Sequence, residues 1–219
     1  MLVAQLLQTD YPTLHLTDKV SFALQLMDDY EIQDLPVVVN ESFTGSVSKE
    51  NLLDADEENT IATLQSSFDI ISVKKDEFFL SALKAIVEAS NTLVAVVNDS
   101  KEYLGVVTSN ALLEQLSIYV GTVEPGGIIV LEVDRRNYSF GEISRLVETN
   151  DAYITQLNTY TEPDTGLVIV SIKVNRVEIS DIIATFHRFE YLIRYYFGVE
   201  QFTNELKDNY NHLMTYLNI

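Results

Sequence analysis

The amino-acid sequence predicts a mixed α/β protein in which two β-α-β-β-α units precede a βαββαβ domain and a C-terminal helix. Three observations predict this order. Two stretches of similar length repeat one series of strand and helix patterns, a Pro-Gly segment ends the repeated part, and the remainder follows a different series. The 219 residues are 47% hydrophobic, which is enough for more than one packed core.

The repeat is most visible in two similar strings, GSVSKEN at residues 45–51 and GVVTSNA at residues 105–111. Each string follows a continuous apolar run, Leu35–Val39 in the first copy and Leu93–Val97 in the second. Such a run is typical of a strand that is buried on both faces. Each string therefore predicts a second strand that leads directly into a final helix.

The earlier part of each copy predicts a short leading strand and a helix. Apolar and polar residues alternate around His15 and around Ser72, and helical spacing of apolar residues follows in both copies. The polar segment DADEEN at 54–59 predicts a solvated linker, with a hard-metal site as the alternative interpretation. We therefore divide this half into repeat 1, residues 1–60, and repeat 2, residues 61–120.

The second half begins at a clear boundary. In GTVEPGG at 121–127 a proline stands beside glycines, which breaks both helix and strand. The strand and helix patterns beyond it follow the order βαββαβ, a ferredoxin-like arrangement. A C-terminal helix with one apolar side is predicted after them, from Phe202, Leu206, Tyr210, Leu213 and Leu217. These elements make a third domain, residues 121–219.

The charge and composition exclude several classes of function. The formal net charge is −19, and residues 1–120 contain 19 acidic residues, six lysines and no arginine. Such a surface repels the phosphates of nucleic acids and of anionic membranes, so we expect neither as a partner. No apolar run is long enough to cross a membrane, and without cysteines there is no disulfide or thiolate metal site. A cytoplasmic protein is expected.

The sequence contains no catalytic constellation. The three histidines, His15, His187 and His212, lie in different predicted elements, and none belongs to a nucleophile–base motif. Motifs for a phosphate-binding loop, a dinucleotide fold or a zinc hydrolase are missing. We therefore expect a non-catalytic protein that requires no cofactor and no metal.

The strings LPVVV at 35–39, GSVSKEN and GVVTSNA resemble those of tandem cystathionine-β-synthase (CBS) domains, a pair known as a Bateman module. The resemblance covers roughly residues 1–119. The second half resembles an ACT domain, with VDRRNYSFGEISRLV at 133–147 in place of the usual Asp-Arg-Pro-Gly loop and helix. Because this loop is longer and bulkier, we expect the ACT-like domain to mediate assembly, as a homodimer, rather than to bind an amino acid.

The CBS resemblance implies an adenosine-containing ligand in a crevice between the repeats, shared by the two hydroxyl-bearing turns. In the family, a Ser or Thr hydroxyl meets phosphate or ribose, and an Asp three residues later holds the ribose. Here the first copy has Asn51 at the Asp position and the second has Ala111, with Asn110 beside it. The leading strands often carry ligand-facing polar residues in this family. The expected ligand-binding residues are His15, Ser48, Asn51, Ser72, Thr108 and Asn110.

The scarcity of cations predicts which ligand is favoured. Only Lys49, Lys74, Lys75 and a protonated His15 could balance a phosphate, so adenosine or AMP is favoured over ATP. The expected function is that of a sensor, in which the ligand shifts the arrangement of the repeats and an unidentified regulated protein responds. The alternative is a constitutive interaction scaffold with decayed sites, whose Ser48 and Thr108 act only as helix N-caps.

Overall fold

The computed structural model describes residues 1–198, and the chain divides into two compact units, Met1–Leu116 and Ser117–Ile219. The first unit contains both repeats, and the second contains the ACT-like part. The predicted C-terminal helix, with His212, lies outside the described residues.

The first repeat contains two helices and one hairpin. Its elements are α1 (Val20–Tyr30), β1 (Asp34–Val39), β2 (Ser42–Ser48) and α2 (Lys49–Leu53). β1 pairs with β2 in antiparallel fashion. The prediction of a leading strand around His15 is wrong here, since the segment forms only an isolated parallel bridge between Leu14 and Val37. The ladder ends there because the Val38 carbonyl, which would accept the Leu16 N–H, lies 3.2 Å from His15 Nδ1, and the Leu16 carbonyl accepts from the Ala62 N–H instead.

The second repeat shows the complete predicted order. Its elements are β3 (Ser72–Lys74), α3 (Phe79–Ala89), β4 (Leu93–Val97), β5 (Tyr103–Thr108) and α4 (Ser109–Tyr119). The strands form a sheet of order β3-β4-β5, in which β3 is parallel and β5 antiparallel to β4. The β-α-β-β-α order is thus confirmed in full for this copy.

Each repeat is completed by a chain segment that precedes the other repeat. The 3-10 helix Val3–Gln5 packs into the core around Phe79, and the 3-10 helix Ile61–Ser67 packs into the core around Met27. The backbone makes the same crossing, because Gln8, from the segment before the first repeat, forms a β-bridge with Val106 of the second repeat. The division at residue 60 therefore does not coincide with the division between the two hydrophobic cores, because each core includes residues from both sides of it.

The exchanged segments explain why each string begins with glycine. Gly105 has φ +145°, and a Cβ there would overlap the carbonyl group of Gln8. Gly45 has φ +155°, and its Cβ would lie 2.7 Å from the Cβ of Phe68. Side chains rarely adopt this backbone conformation, and here they also lack space. The two glycines let the crossing chain lie directly on the strand.

The two hairpins also contact each other where the second strand of each begins. Ser42 bridges Glu102, and the Phe43 and Tyr103 rings stack with centroids 6.5 Å apart. The Tyr103 hydroxyl is buried without a hydrogen-bond partner in the described part of the chain. Burial also raises the pKa of Tyr103, so the hydroxyl stays protonated.

We expect Tyr103→Phe to leave the free energy of unfolding unchanged or to raise it by up to about 1 kcal/mol, because the change removes an unsatisfied buried polar atom. Phe43, at the equivalent position, already has this side chain. Urea denaturation of both proteins measures the difference. A loss of more than about 1 kcal/mol would mean that the hydroxyl has a bridging water as its partner.

The second unit is a ferredoxin-like domain, as predicted. Its elements are β6 (Ile128–Val133), α5 (Phe140–Glu148), β7 (Ile154–Thr161), β8 (Val168–Val174), α6 (Ser180–Arg188) and β9 (Leu192–Phe197). The strands form one antiparallel sheet of order β7-β8-β6-β9. Ile143 of α5 and Phe186 of α6 pack with Leu131 in a core that excludes solvent from all three side chains.

Candidate ligand-binding clefts

The first unit contains two clefts at the junction of its repeats. The Ser48 cleft, of about 440 Å³, is lined by Asp34, Ser48, Lys49, Glu50, Asn51, Asp69 and Asn91, among others. The Thr108 cleft, of about 530 Å³, is lined by Gln8, Tyr11, Tyr30, Glu31, Thr108, Asn110 and Glu114, among others. Gln33 and Thr92 line both clefts. The expectation of one shared crevice is therefore wrong, because the two turns line separate clefts that meet at these residues.

In the Ser48 cleft, the Ser48 hydroxyl caps α2, and the side-chain amide of Asn51 can still accept a hydrogen bond. The Asn51 backbone N–H donates to Ser48 Oγ at 3.3 Å, and Asn51 Nδ2 donates to the Ser67 carbonyl at 3.3 Å. These contacts leave Asn51 Oδ1 without a donor among residues 1–198. An amide oxygen in this position can accept a hydrogen bond from a ligand hydroxyl.

Two carboxylates complete the polar side of the Ser48 cleft. Asp34 is 4% exposed, and its Oδ2 accepts from Thr92 N at 2.7 Å and from Thr92 Oγ1 at 2.5 Å. Asp69 Oδ2 accepts from Asn91 Nδ2 at 2.7 Å. Asp34 belongs to the first repeat and Thr92 to the second. The lining of the cleft thus also joins the two repeats.

Two of the four cations expected to balance a phosphate form ion pairs with carboxylates. Lys49 Nζ lies 2.5 Å from Asp28 Oδ1, and Lys74 Nζ lies 2.6 Å from Asp99 Oδ1. Lys49 is the one basic residue among the described residues that line the Ser48 cleft, and the lining of the Thr108 cleft contains none. A phosphate in either cleft would meet acidic groups without a free cation.

The Thr108 cleft has the second hydroxyl-bearing turn. Thr108 Oγ1 accepts from the Ala111 N–H at 3.3 Å, so this threonine caps α4, while Asn110 is exposed at the cleft edge. The Tyr11 hydroxyl donates to the Asp34 carbonyl at 3.2 Å. Burial, together with the Asp34 charge, raises the pKa of Tyr11 to about 12.

His15 and Ser72 lie outside both clefts. His15 is exposed, with Nδ1 at 3.2 Å from the Val38 carbonyl, and Ser72 is exposed on β3. The strand pairing shows that the two are not equivalent. Leu14 bridges Val37 just as Val73 pairs with Val96, so the counterpart of Ser72 is residue 13. Their assignment as ligand-binding residues gains no support from this placement.

The sequence reasoning missed the polar residues at the start of each buried strand. Gln33 and Asp34 precede the first apolar run, and Asn91 and Thr92 precede the second. All four line the Ser48 cleft. The strand register makes Gln33 the equivalent of Thr92, because Asp34 pairs with Ser48 as Leu93 pairs with Thr108. This polar position, which both copies share, was the signal that could have identified the group.

The second unit contains one further cleft, of about 640 Å³, beside the altered ACT loop. Asp134 organises this loop, because its carboxylate accepts from the Arg136 N–H at 2.8 Å and its carbonyl from the Asn137 N–H at 2.8 Å. Burial, followed by the nearby Glu142, raises the pKa of Tyr191 on the other side of the cleft to about 12.

Within residues 1–198, no group of three or more His, Asp and Glu side chains is arranged to hold a metal ion. The helices in this part of the chain are too short or too polar to cross a membrane.

One family model matches this chain, and several solved structures are similar to it. The family model described as CBS domain matches residues 3–58 and 64–118. A CBS domain pair/ACT domain protein from Thermotoga maritima is 25% identical, with a TM-score of 0.51 over 55% of this chain and 99% of its own. A putative acetoin utilization protein from Vibrio cholerae is 20% identical, with a TM-score of 0.48 over 56% of this chain and 94% of its own. A CBS domain pair solved with 5′-methylthioadenosine and S-adenosyl-L-methionine is 20% identical, with a TM-score of 0.48 over 54% of this chain and 98% of its own.

Proposed function

This chain belongs to the CBS domain family, and from that premise we propose that it is a cytoplasmic, non-catalytic regulatory protein whose CBS pair binds an adenosine-containing ligand in the Ser48 cleft. One observation carries the proposal. Ser48 and Asn51, at the family's motif positions, line a cleft together with residues of the second repeat. The cleft volume falls in the range typical of small-molecule sites.

The polar groups of this cleft suit a ribose. Two neighbouring ribose hydroxyls are hydrogen-bond donors, and the cleft offers them Asn51 Oδ1 and the carboxylate of Asp69 as acceptors. Hydrogen bonds to a charged acceptor are stronger than those between neutral groups. The asparagine at the Asp position of the motif therefore keeps a hydrogen-bond acceptor for the ribose, although the neutral amide binds it less strongly than a carboxylate would.

The ligand would act by changing how the repeats pack. Since both repeats line the Ser48 cleft, a ligand that fits one arrangement better than another shifts the population towards it. A partner protein, as yet unidentified, would respond to that change. The ACT-like unit would hold two copies of the chain together, and the acidic surface disfavours nucleic-acid and membrane partners.

A constitutive scaffold is the second candidate function, and two observations favour it. Ser48 and Thr108 each already accept a helix-capping N–H, and Ala111 offers no polar group to a ribose. In that case the clefts would be empty remnants, and the protein would bind its partner without a ligand.

A thermal-shift screen with adenosine, AMP, ADP and ATP distinguishes the two functions. A ligand at about 100 times its Kd stabilises the fold by about 2.7 kcal/mol, and we expect this from adenosine and AMP rather than ATP. Asn51→Ala should weaken the binding about tenfold, because one hydrogen bond to the ribose is lost. Asn110→Ala makes the same truncation in the Thr108 cleft and serves as the matched control.

Two outcomes would contradict the proposal. A response to none of the four ligands would favour the scaffold. A loss of affinity in Asn110→Ala, with none in Asn51→Ala, would place the ligand in the Thr108 cleft.

A further inference from the structure

We propose that the buried carboxylate of Asp34 determines which ligand charge is preferred, weakening the binding of a 5′-phosphate in the Ser48 cleft and favouring an adenosine derivative with a neutral or positive 5′ group. The inference rests on the proposed function, and it adds a specificity-determining residue and a charge class. It follows from where Asp34 lies and from which groups surround it.

The charge of Asp34 has no counter-ion. Its hydrogen-bond donors are the Thr92 N–H and hydroxyl, both neutral, and no Lys, Arg or His within the described residues forms an ion pair with it. With 4% exposure, the carboxylate is also poorly screened by solvent and salt. A negative charge held in this way acts strongly on any ion that enters the cleft.

The other charged groups around the cleft reinforce this effect. Asp69 from the segment before β3 and Glu50 from α2 add two negative charges, and Lys49 is paired with Asp28. The field of Asp34 also extends to Tyr11 in the neighbouring cleft, where it contributes to the raised pKa of the phenol. Glu31 and Glu114 line that second cleft, so it offers a phosphate no better place.

The volume of the cleft, about 440 Å³, is small enough that a nucleoside held in it lies near Asp34. Over distances of this order, two like charges repel appreciably in a protein environment. A 5′-phosphate that lies inside the cleft therefore loses affinity.

A series of three ligands tests the inference on the full-length protein. 5′-Amino-5′-deoxyadenosine, adenosine and AMP share the nucleoside and carry a positive, a neutral and a negative 5′ group. By isothermal titration calorimetry we expect affinity to fall in that order, with AMP about tenfold weaker than adenosine. AMP binding as tightly as adenosine would overturn the inference.

Asp34→Asn then tests the residue itself. The amide oxygen can still accept from Thr92, while the negative charge is removed. We expect the affinity for AMP to rise about tenfold and that for adenosine to change by less than about twofold. Glu57→Gln, which makes the same change of net charge on the exposed linker, is the matched control. An AMP affinity that rises no more in Asp34→Asn than in Glu57→Gln would overturn the inference.

The two proposals fail in different ways. Wild-type protein that binds none of the three ligands refutes the proposed function, yet a gain of AMP binding in Asp34→Asn would still support phosphate exclusion. Adenosine binding without any effect of Asp34→Asn on AMP leaves the function standing and overturns the inference. If Asp34→Asn does not fold, the wild-type series decides.

Discussion

Replacing Gly105 with alanine is expected to lower the free energy of unfolding of the first unit by about 3 kcal/mol or more. The residue has φ +145°, which strains any side chain. The new methyl group would overlap the Gln8 carbonyl and lie 2.9 Å from Leu7 Cδ1. Because backbone atoms cannot rotate away, the crossing segment must move, and the bridge between Gln8 and Val106 should be lost.

Amide hydrogen exchange on the full chain is the suitable measurement, because it reports on each unit separately. Protection of the β5 amides should fall in Gly105→Ala. Gly141→Ala is the matched control, since Gly141 lies in α5 of the other unit with no atom within 4 Å of the added Cβ. Alanine there should leave stability unchanged or raise it, as a helix favours alanine over glycine. Equal protection of β5 in both variants would contradict the role given to Gly105.

The elements that the sequence predicts well are those with local causes. Apolar runs located the strands β1 and β4, and the strings that follow them located β5. Apolar runs together with helical spacing gave the βαββαβ order of the second unit. In each case the side-chain period alone determines the type of element. The glycine at the start of each string was equally visible, although its reason was not. That reason is a contact with a crossing segment, which is almost a hundred residues away for Gly105 and about twenty residues away for Gly45.

The features that the sequence did not predict depend on contacts between distant segments. The alternation around His15 suggests a strand, but the His15 ring lies against the Val38 carbonyl that would accept the next backbone N–H of that strand. The exchange of the two 3-10 segments between cores leaves no periodic signal, because both are short and their apolar residues fit either repeat. The separation into two clefts follows from that packing.

The candidate site was predictable in part. Ser48 and Asn51 were found because the motif places them three residues apart at a strand–helix junction, and the structure brings them into one cleft. Asp34 was missed because a single acid before an apolar run is normally solvent-exposed at the end of a strand. Here it is buried and bonded to Thr92, which precedes the corresponding strand of the other repeat.

Asp34→Ala is accordingly expected to destabilise the first unit by about 3 kcal/mol, because it removes the charged acceptor of two hydrogen bonds from Thr92. Asp34→Asn keeps an acceptor at this position and should cost far less. Urea denaturation followed by circular dichroism gives the stability, and hydrogen exchange of β4 assigns the loss to the first unit. The carboxylate thus has two separable roles, one through its hydrogen bonds and one through its charge.

A double-mutant cycle with Thr92→Val measures the contact itself. This substitution removes the hydroxyl donor and keeps the backbone N–H, so we expect a coupling of about 1 kcal/mol with Asp34→Ala. A coupling near zero, together with a loss below about 1 kcal/mol in Asp34→Ala alone, would mean that water satisfies Thr92 equally well. The junction between the repeats would then be too loosely held for a ligand in the Ser48 cleft to set their arrangement through it.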